Sequence, residues 1–151
     1  MYSRILVPID GSEPSQCGLR EAIAIARQNG STLVLLHVVT QLPMPIGDPG
    51  AFSYRQVWDM LEHAGREIVE KSAKEAAAAG VANEQRLVDG GAGPVCDVVV
   101  AQAAAERCEL IVMGTHGRRG MKRLAMGSDA ELVVRHAGVP VLLVKPRDFA
   151  A

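Results

Sequence analysis

The chain has few aromatic residues and few cysteines, and these shortages exclude several kinds of protein. Only 3% of its 151 residues are Phe, Trp or Tyr, too few for the stacking surface of a single-strand nucleic-acid binder or for a flavin site. The cysteines are Cys17, Cys96 and Cys108, without a C-x-x-C pair. This pattern is typical of reduced thiols, and we interpret them as small, buried apolar residues.

The chain also lacks an excess of one charge and a long apolar run. Its net charge is −1, which argues against a basic nucleic-acid-binding surface. No apolar stretch reaches the roughly 18 residues that a membrane span needs. The segment R-I-L-V at residues 4–7 follows the first residues at once, without the features of a signal peptide. We therefore expect a cytoplasmic protein with neither nucleic-acid nor membrane partners, folded as a single domain over residues 1–151.

Short apolar runs alternate with helical patterns along the whole chain. The runs predict strands at residues 5–9, 32–39, 84–88, 110–113 and 141–144. The helical patterns begin after Ser12, near residue 53, after Pro94 and at Ser128. Residues 41–50 hold three prolines and two glycines and predict a loop. Such alternation predicts one parallel sheet with right-handed crossovers and helices on both faces.

The most informative motif runs from Gly114 to Ser128. It reads G-T-H-G, nine residues, then G-S, directly after the apolar run 110–113. Glycine allows a backbone to approach a ligand closely, and a helix N-terminus offers unpaired N–H groups to a phosphate. Ligands of such folds bind beyond the carboxyl ends of the strands. The motif therefore predicts a phosphate cradle at this edge of the sheet.

This G-x2-G-x9-G-S pattern resembles the nucleotide-binding signature of the universal stress protein family. R-I-L-V-P-I-D-G-S near the start, L-L-H-V-V, L-I-V-M-G-T-H-G and P-V-L-L-V near the end are similar to that family too. The resemblance implies a three-layer α/β/α, Rossmann-like fold with a doubly wound five-stranded parallel sheet of order 3-2-1-4-5. It also implies binding of ATP or AMP, a role in the stress response, and a homodimer formed through the last strand, residues 139–144.

The resemblance further implies which residues meet the nucleotide. Asp10 would face the ribose, the backbone of Val38 or Val39 the adenine edge, and Gly127 with Ser128 the phosphates. The complete set of expected nucleotide-binding residues is Pro8, Asp10, Val38, Val39, Met113, Gly114, His116, Gly117, Arg118, Gly127 and Ser128.

Several of these residues have a simpler structural interpretation. The three motif glycines can serve turns, and Asp10 can cap the turn at Gly11. Residues 128–131 fit a capping box, so we expect Ser128 to cap a helix whether or not it meets a phosphate. Four of the six residues 118–123 are basic; we expect at least two to be simply solvated and Arg118 to be the phosphate partner.

Asp129 departs from the family pattern, in which a neutral residue often follows the serine. A carboxylate there favours the helix dipole but opposes a nearby triphosphate. We expect it to point out of the site.

No histidine is placed for catalysis or zinc binding. His116 lacks the G-x-S-x-G elbow that a triad with Ser128 and Asp10 would need. His37 lies within a buried strand and is expected to be a hydrogen-bonded core residue. No zinc spacing is present; Mg²⁺ or Mn²⁺ is expected only in company with nucleotide phosphates.

The sequence favours a regulatory adenine-nucleotide-binding homodimer over two alternatives. One is a slow ATP hydrolase or phosphotransferase, for which the Walker A lysine and an obvious general base are missing. The other is a nucleotide-free dimeric scaffold, as in another branch of the resembled family.

Overall fold

Five strands and four helices alternate along residues 2–40, 53–115 and 127–146, the residues that the computed structural model describes. In chain order they are β1 Arg4–Pro8, α1 Glu13–Asn29, β2 Thr32–Val39, α2 Tyr54–Ala78, β3 Asn83–Asp89, α3 Val95–Ala105, β4 Leu110–Gly114, α4 Ser128–His136 and β5 Val141–Val144. The predicted alternation is confirmed, with boundaries that differ by one or two residues. The predicted loop 41–50 lies outside the described residues.

The strands form one parallel sheet of order β3-β2-β1-β4-β5. β1 lies at its centre, where Leu6 pairs with Val34 of β2 and with Ile111 of β4. The chain runs outward from β1 to β3 on one side and from β4 to β5 on the other, as in a doubly wound fold. The predicted fold class and strand order are confirmed.

Helices cover both faces of the sheet because its central strands are apolar on both sides. Alternate residues of β1 point to opposite faces, so that Val7 packs beneath α1 and α2 whereas Leu6 packs beneath α3 and α4. Both side chains are fully buried. The molecule therefore has three layers, with one apolar core on each side of the sheet. Among the described residues, none of the helices combines the length and the apolar composition that crossing a membrane requires.

The first two helices begin at serines that cap them. The Ser12 hydroxyl accepts a hydrogen bond from the backbone N–H of Ser15 at 3.4 Å, as the sequence predicted for α1. Ser53 forms a reciprocal capping box with Gln56 at the start of α2. Gly30 ends α1 in the left-handed region, with φ of 69°, a conformation that favours glycine.

The predicted cap of α4 is wrong. The N-cap residue is Gly127 and Ser128 is the first helical residue, and within the described part of the chain no side chain caps the helix start. An N-cap residue lies just before the helix and has non-helical dihedrals. Ser128 already belongs to the helix, so its hydroxyl does not occupy the capping position. The last strand has its predicted bounds, and Val139 and Pro140 of the expected dimer contact precede it.

Ion pairs tie together the amino ends of β1 and β3. Glu84 of β3 contacts the guanidinium of Arg4 at 2.8 Å and that of Arg86 at 2.7 Å. Glu106, which follows α3, pairs with the same two arginines. Hydrogen bonds from Arg4 and then Arg86 lower the pKa of Glu84 to about 2. This cluster lies at the end of the sheet opposite to the carboxyl ends of the strands.

Candidate functional site

A cavity of about 270 Å³ lies at the carboxyl ends of β1, β2 and β4. This is the point where the chain winds outward in both directions from β1, and ligands of open α/β sheets bind at such points. The floor of the cavity consists of strand ends, and its walls come from α2, α3 and the first turn of α4. Its size is just below the range of small-molecule sites, about 300–1,000 Å³.

The cavity brings together sequence-predicted site residues from four separate parts of the chain. Those that lie in its wall are Pro8, Asp10, Val38, Val39, Met113, Gly114, Gly127 and Ser128. They cover all the predicted positions within the described residues. His116, Gly117 and Arg118 lie outside those residues. The structure thus gathers the predicted set around one space, and its contacts with a nucleotide stay a prediction.

Asp10 occupies the turn that joins β1 to α1. One oxygen of its carboxylate accepts a hydrogen bond from the backbone N–H of Ser12 at 2.9 Å. Its own backbone N–H donates to the Ser15 hydroxyl at 3.3 Å. The interpretation of Asp10 as a turn residue is therefore correct, and the same residue also lines the cavity.

His37 holds the end of β1 against β2. Its ring Nδ1 lies 2.7 Å from the carbonyl oxygen of Ile9, and because a carbonyl only accepts, Nδ1 carries the hydrogen. The backbone N–H of Ile9 donates to the carbonyl of Leu36 at 2.8 Å. The prediction of a buried, hydrogen-bonded core histidine is confirmed; that His37 also lines the cavity was not predicted.

Gly114 lies in the cavity wall, and the packing of α1 requires glycine at this position. A Cβ at this position would lie 2.5 Å from the backbone of Pro14, in the first turn of α1. A Cβ at Gly18 of the same helix would lie 3.0 Å from the backbone nitrogen of Gly114. Helix α1 therefore packs directly on the backbone of β4, and a side chain at residue 114 would push it away.

Gly127 has a different reason for being near the cavity. Its φ of −62° and ψ of 146° are open to any residue, so its backbone conformation does not call for glycine. Its N–H donates to the carbonyl of Thr115 at 2.9 Å, which fixes the start of α4 beside the end of β4. Ser128, Asp129 and Ala130 of the first turn of α4 line the cavity, and no side chain of the described residues caps the N–H groups of this turn. Such groups are the usual partners of a bound anion.

Sequence reasoning missed the apolar walls of the cavity. They are formed by Leu61, Ala64 and Gly65 of α2 and by Val95 and Val99 of α3. Helical periodicity predicts that such residues face the core, but it cannot tell a filled core from a cavity. The one signal available in the sequence is Gly65, a glycine inside a helix. The structure explains it, because a Cβ at Gly65 would lie 2.6 Å from the His37 ring.

The charged side chains of the described wall are acidic. Asp10 and Asp129 line it, together with His37, and the described lining includes neither lysine nor arginine. The basic residues between 118 and 123 lie outside the described residues. Asp129 forms part of the wall and has an exposed side chain; that its carboxylate points out of the site stays a prediction.

The cysteines do not contribute to the site. All three are free thiols; Cys96 and Cys108 are buried as predicted, whereas Cys17 is only half-buried. Burial raises the pKa of Cys108 to about 11, which keeps it protonated and unreactive at neutral pH. The described residues contain no group of His, Cys, Asp or Glu that could hold a metal ion.

Comparison with known proteins now identifies the family. The model of the universal stress protein family matches residues 1–145. The chain belongs to the universal stress protein family. A curated family member from Methanocaldococcus jannaschii is 33% identical over 145 residues, which cover 96% of this chain and 83% of that protein.

Solved universal stress proteins share the fold. One from Burkholderia pseudomallei is 31% identical, with a TM-score of 0.76, over 95% of this chain and 96% of that one. Another, solved in complex with cAMP, is 25% identical, with a TM-score of 0.69, over 95% of this chain and 97% of that one. The matches extend over nearly the whole chain, so the strand-end cavity lies within the shared fold.

Proposed function

We propose that this universal stress protein binds an adenine nucleotide, AMP or ATP, in the strand-end cavity. The observation that carries the proposal is the start of α4, which lies in the wall of a cavity at the centre of a doubly wound sheet and which no side chain of the described residues caps. Its backbone amides and helix dipole attract a phosphate. The family member solved with cAMP supports the adenine nucleotide as the ligand class.

In this proposal each part of the nucleotide has its own partners. The adenine packs near Pro8 and Met113, with its polar edge against the backbone of Val38 or Val39, all of which line the cavity. Asp10, held at the end of β1 by its turn, accepts a hydrogen bond from the ribose. An ionised carboxylate accepts hydrogen bonds and donates none, and the ribose hydroxyls can donate to it.

The phosphates would lie against Gly114, Gly127 and Ser128 at the start of α4. His116, Gly117 and Arg118, which follow β4 in the chain, would complete the phosphate side. Mg²⁺ or Mn²⁺ would arrive only with the phosphates.

The nucleotide would act as a signal in a cytoplasmic homodimer of the stress response. Among the described strands β5 lies at the edge of the sheet and pairs with β4 alone. Leu142 of β5 is 37% exposed and Val134 of the neighbouring α4 is 47% exposed. An edge strand with exposed apolar side chains is a surface that a second chain can cover. Residues 139–144 would therefore form the contact between two copies.

The test is to measure what the protein binds and whether the start of α4 is responsible. Small molecules released from freshly purified, undialysed protein are identified by mass spectrometry, and AMP and ATP binding is measured by calorimetry. Gly127→Leu should weaken binding at least about tenfold, because the side chain occupies the space before the helix amides. Its backbone dihedrals suit leucine, so the variant should fold.

Gly138→Leu is the matched control. Gly138 follows the other end of α4, where an added Cβ meets nothing within 4 Å, so its variant should bind as the wild type does. No binding at millimolar ATP and AMP would contradict the proposal and favour a nucleotide-free scaffold. ATP turnover above background in the presence of Mg²⁺ would instead favour the hydrolase or phosphotransferase alternative.

A further inference from the structure

Asp129 puts a negative charge in the part of the cavity where a phosphate is expected. It is the second residue of α4, directly after Ser128, and both residues line the cavity. Its side chain is exposed rather than folded into the core. Within the described residues no ion pair involves Asp129. The described part of the chain therefore leaves its charge uncompensated.

Helices α3 and α4 pack against each other, and both contribute residues to the cavity wall. Both helices cover the same face of the sheet, and Val95 of α3 lines the cavity beside α4. Burial first, and then the carboxylates of Asp97 and Asp129, raise the pKa of the neighbouring Cys96 thiol. The charge of Asp129 therefore acts on α3, which also lines the cavity.

We propose that Asp129 is a specificity-determining residue that makes the site select against nucleotides with several phosphates. The inference rests on the proposed function, and it says which adenine ligand that site prefers. The start of α4 carries a partial positive charge of about half an elementary unit. A full negative charge in the same turn opposes it. One phosphate can still be held by the backbone amides, but each further phosphate adds repulsion at short range.

The same geometry explains why the affinity for adenosine should not depend on Asp129. The base and ribose are proposed to lie at the ends of β1 and β2, whereas Asp129 is in the wall formed by α4. An uncharged ligand has no charge for the carboxylate to repel. The effect of Asp129 should therefore appear as a ratio between ligands rather than as a change in overall binding.

The experiment compares the affinities of adenosine, AMP and ATP for the wild type, Asp129→Asn and Asp129→Glu. Binding is measured by calorimetry in EDTA at low ionic strength. In Asp129→Asn the ATP affinity should rise about fivefold and the AMP affinity about twofold, with adenosine unchanged. The gain for ATP should shrink as salt is added. Asp129→Glu keeps the charge and should keep the wild-type preference.

Glu131→Gln is the matched control. Glu131 also lies in the first turn of α4, but it is outside the cavity lining and pairs with Arg135 at 3.0 Å. Its variant removes a charge from the same helix start and should leave all ligand ratios unchanged.

Three outcomes would overturn the inference while the proposed function stands. They are an unchanged ratio of ATP to AMP affinity in Asp129→Asn, an equal gain for adenosine, and an equal shift in Glu131→Gln. If none of the three ligands binds the wild type, the proposed function fails and the inference fails with it. The two failures are distinguished by whether adenosine or AMP binds the wild-type protein.

Discussion

Two glycines of the same motif differ in whether the fold requires glycine at their position. Gly114 is fixed by the fold, since a Cβ there would meet the backbone of Pro14 at 2.5 Å. Gly127 has ordinary dihedrals and lies where the helix amides meet the cavity. A loss of ligand binding in a Gly127 variant therefore reports on the site itself. In a Gly114 variant the same loss can follow from the displacement of α1.

Gly114→Ala should destabilise the protein by about 1–3 kcal/mol, the usual cost of overpacking a tight contact. The reason is that backbone atoms of α1 cannot move aside as a side chain can. Urea denaturation measures the change. Gly138→Ala is the control and should be neutral within about 0.5 kcal/mol, because a Cβ there meets nothing within 4 Å. Equal stability of the two variants would contradict the proposed packing role.

At the scale of elements, the ion pairs between β1 and β3 make stability depend on pH. The folded pKa of Glu84 is about 2, below its ordinary value of 4.5, because Arg4 and Arg86 donate hydrogen bonds to its carboxylate. A depressed folded pKa stabilises the protein above the unfolded pKa, and this contribution is lost as the pH falls toward the folded value. The relevant window is therefore pH 4.5 down to about 2.

Glu84→Gln should lower the urea midpoint at pH 7, since it leaves Arg4 and Arg86 with one carboxylate fewer. The difference from the wild type should shrink as the pH falls below 4.5, where the wild-type Glu84 begins to lose its advantage. Glu70→Gln is the control: Glu70 is exposed on α2 and forms none of the ion pairs in the described residues. A difference that stays constant down to pH 3 would contradict the assignment.

The elements were predicted well where one local signal determines them. β2 and β5 have their predicted bounds because each is a continuous apolar run with polar or turn residues on either side. Ser12 was recognised as a cap and Ser128 was misassigned, although both serines follow a glycine. α4 begins one residue earlier than the capping pattern suggests, with Gly127 at the N-cap position. The pattern alone does not show that difference in register.

At the scale of the whole molecule, residues distant in sequence had to be brought together before other features were visible. Arg4 and Glu84 are paired across β2, which no local pattern indicates. The cavity wall from α2 was missed for the same reason, since Gly65 and His37 meet only in the folded sheet. The strand-end residues were predicted because the rule for parallel sheets already says where strand ends gather.

The exposed edge of the sheet gives a test of the proposed dimer. The wild type should have the mass of two chains at micromolar concentration, measured by light scattering after size exclusion. Leu142→Lys should reduce it to that of one chain, because it puts a charge in the middle of an apolar contact. Met60→Lys, at a residue of α2 that is 62% exposed, is the control and should leave the mass unchanged. A wild type with the mass of one chain would contradict the dimer.

The ion pairs and the cavity lie at opposite ends of the same strands. Amino-acid changes around the cavity mouth therefore leave the charged cluster at the far end untouched. Sequence libraries that vary Val38, Asp129 and their neighbours can be screened for new ligands while these ion pairs are kept constant. Because of the same separation, a protein with this fold can change its ligand preference without changes to the ion pairs at the amino ends of its strands.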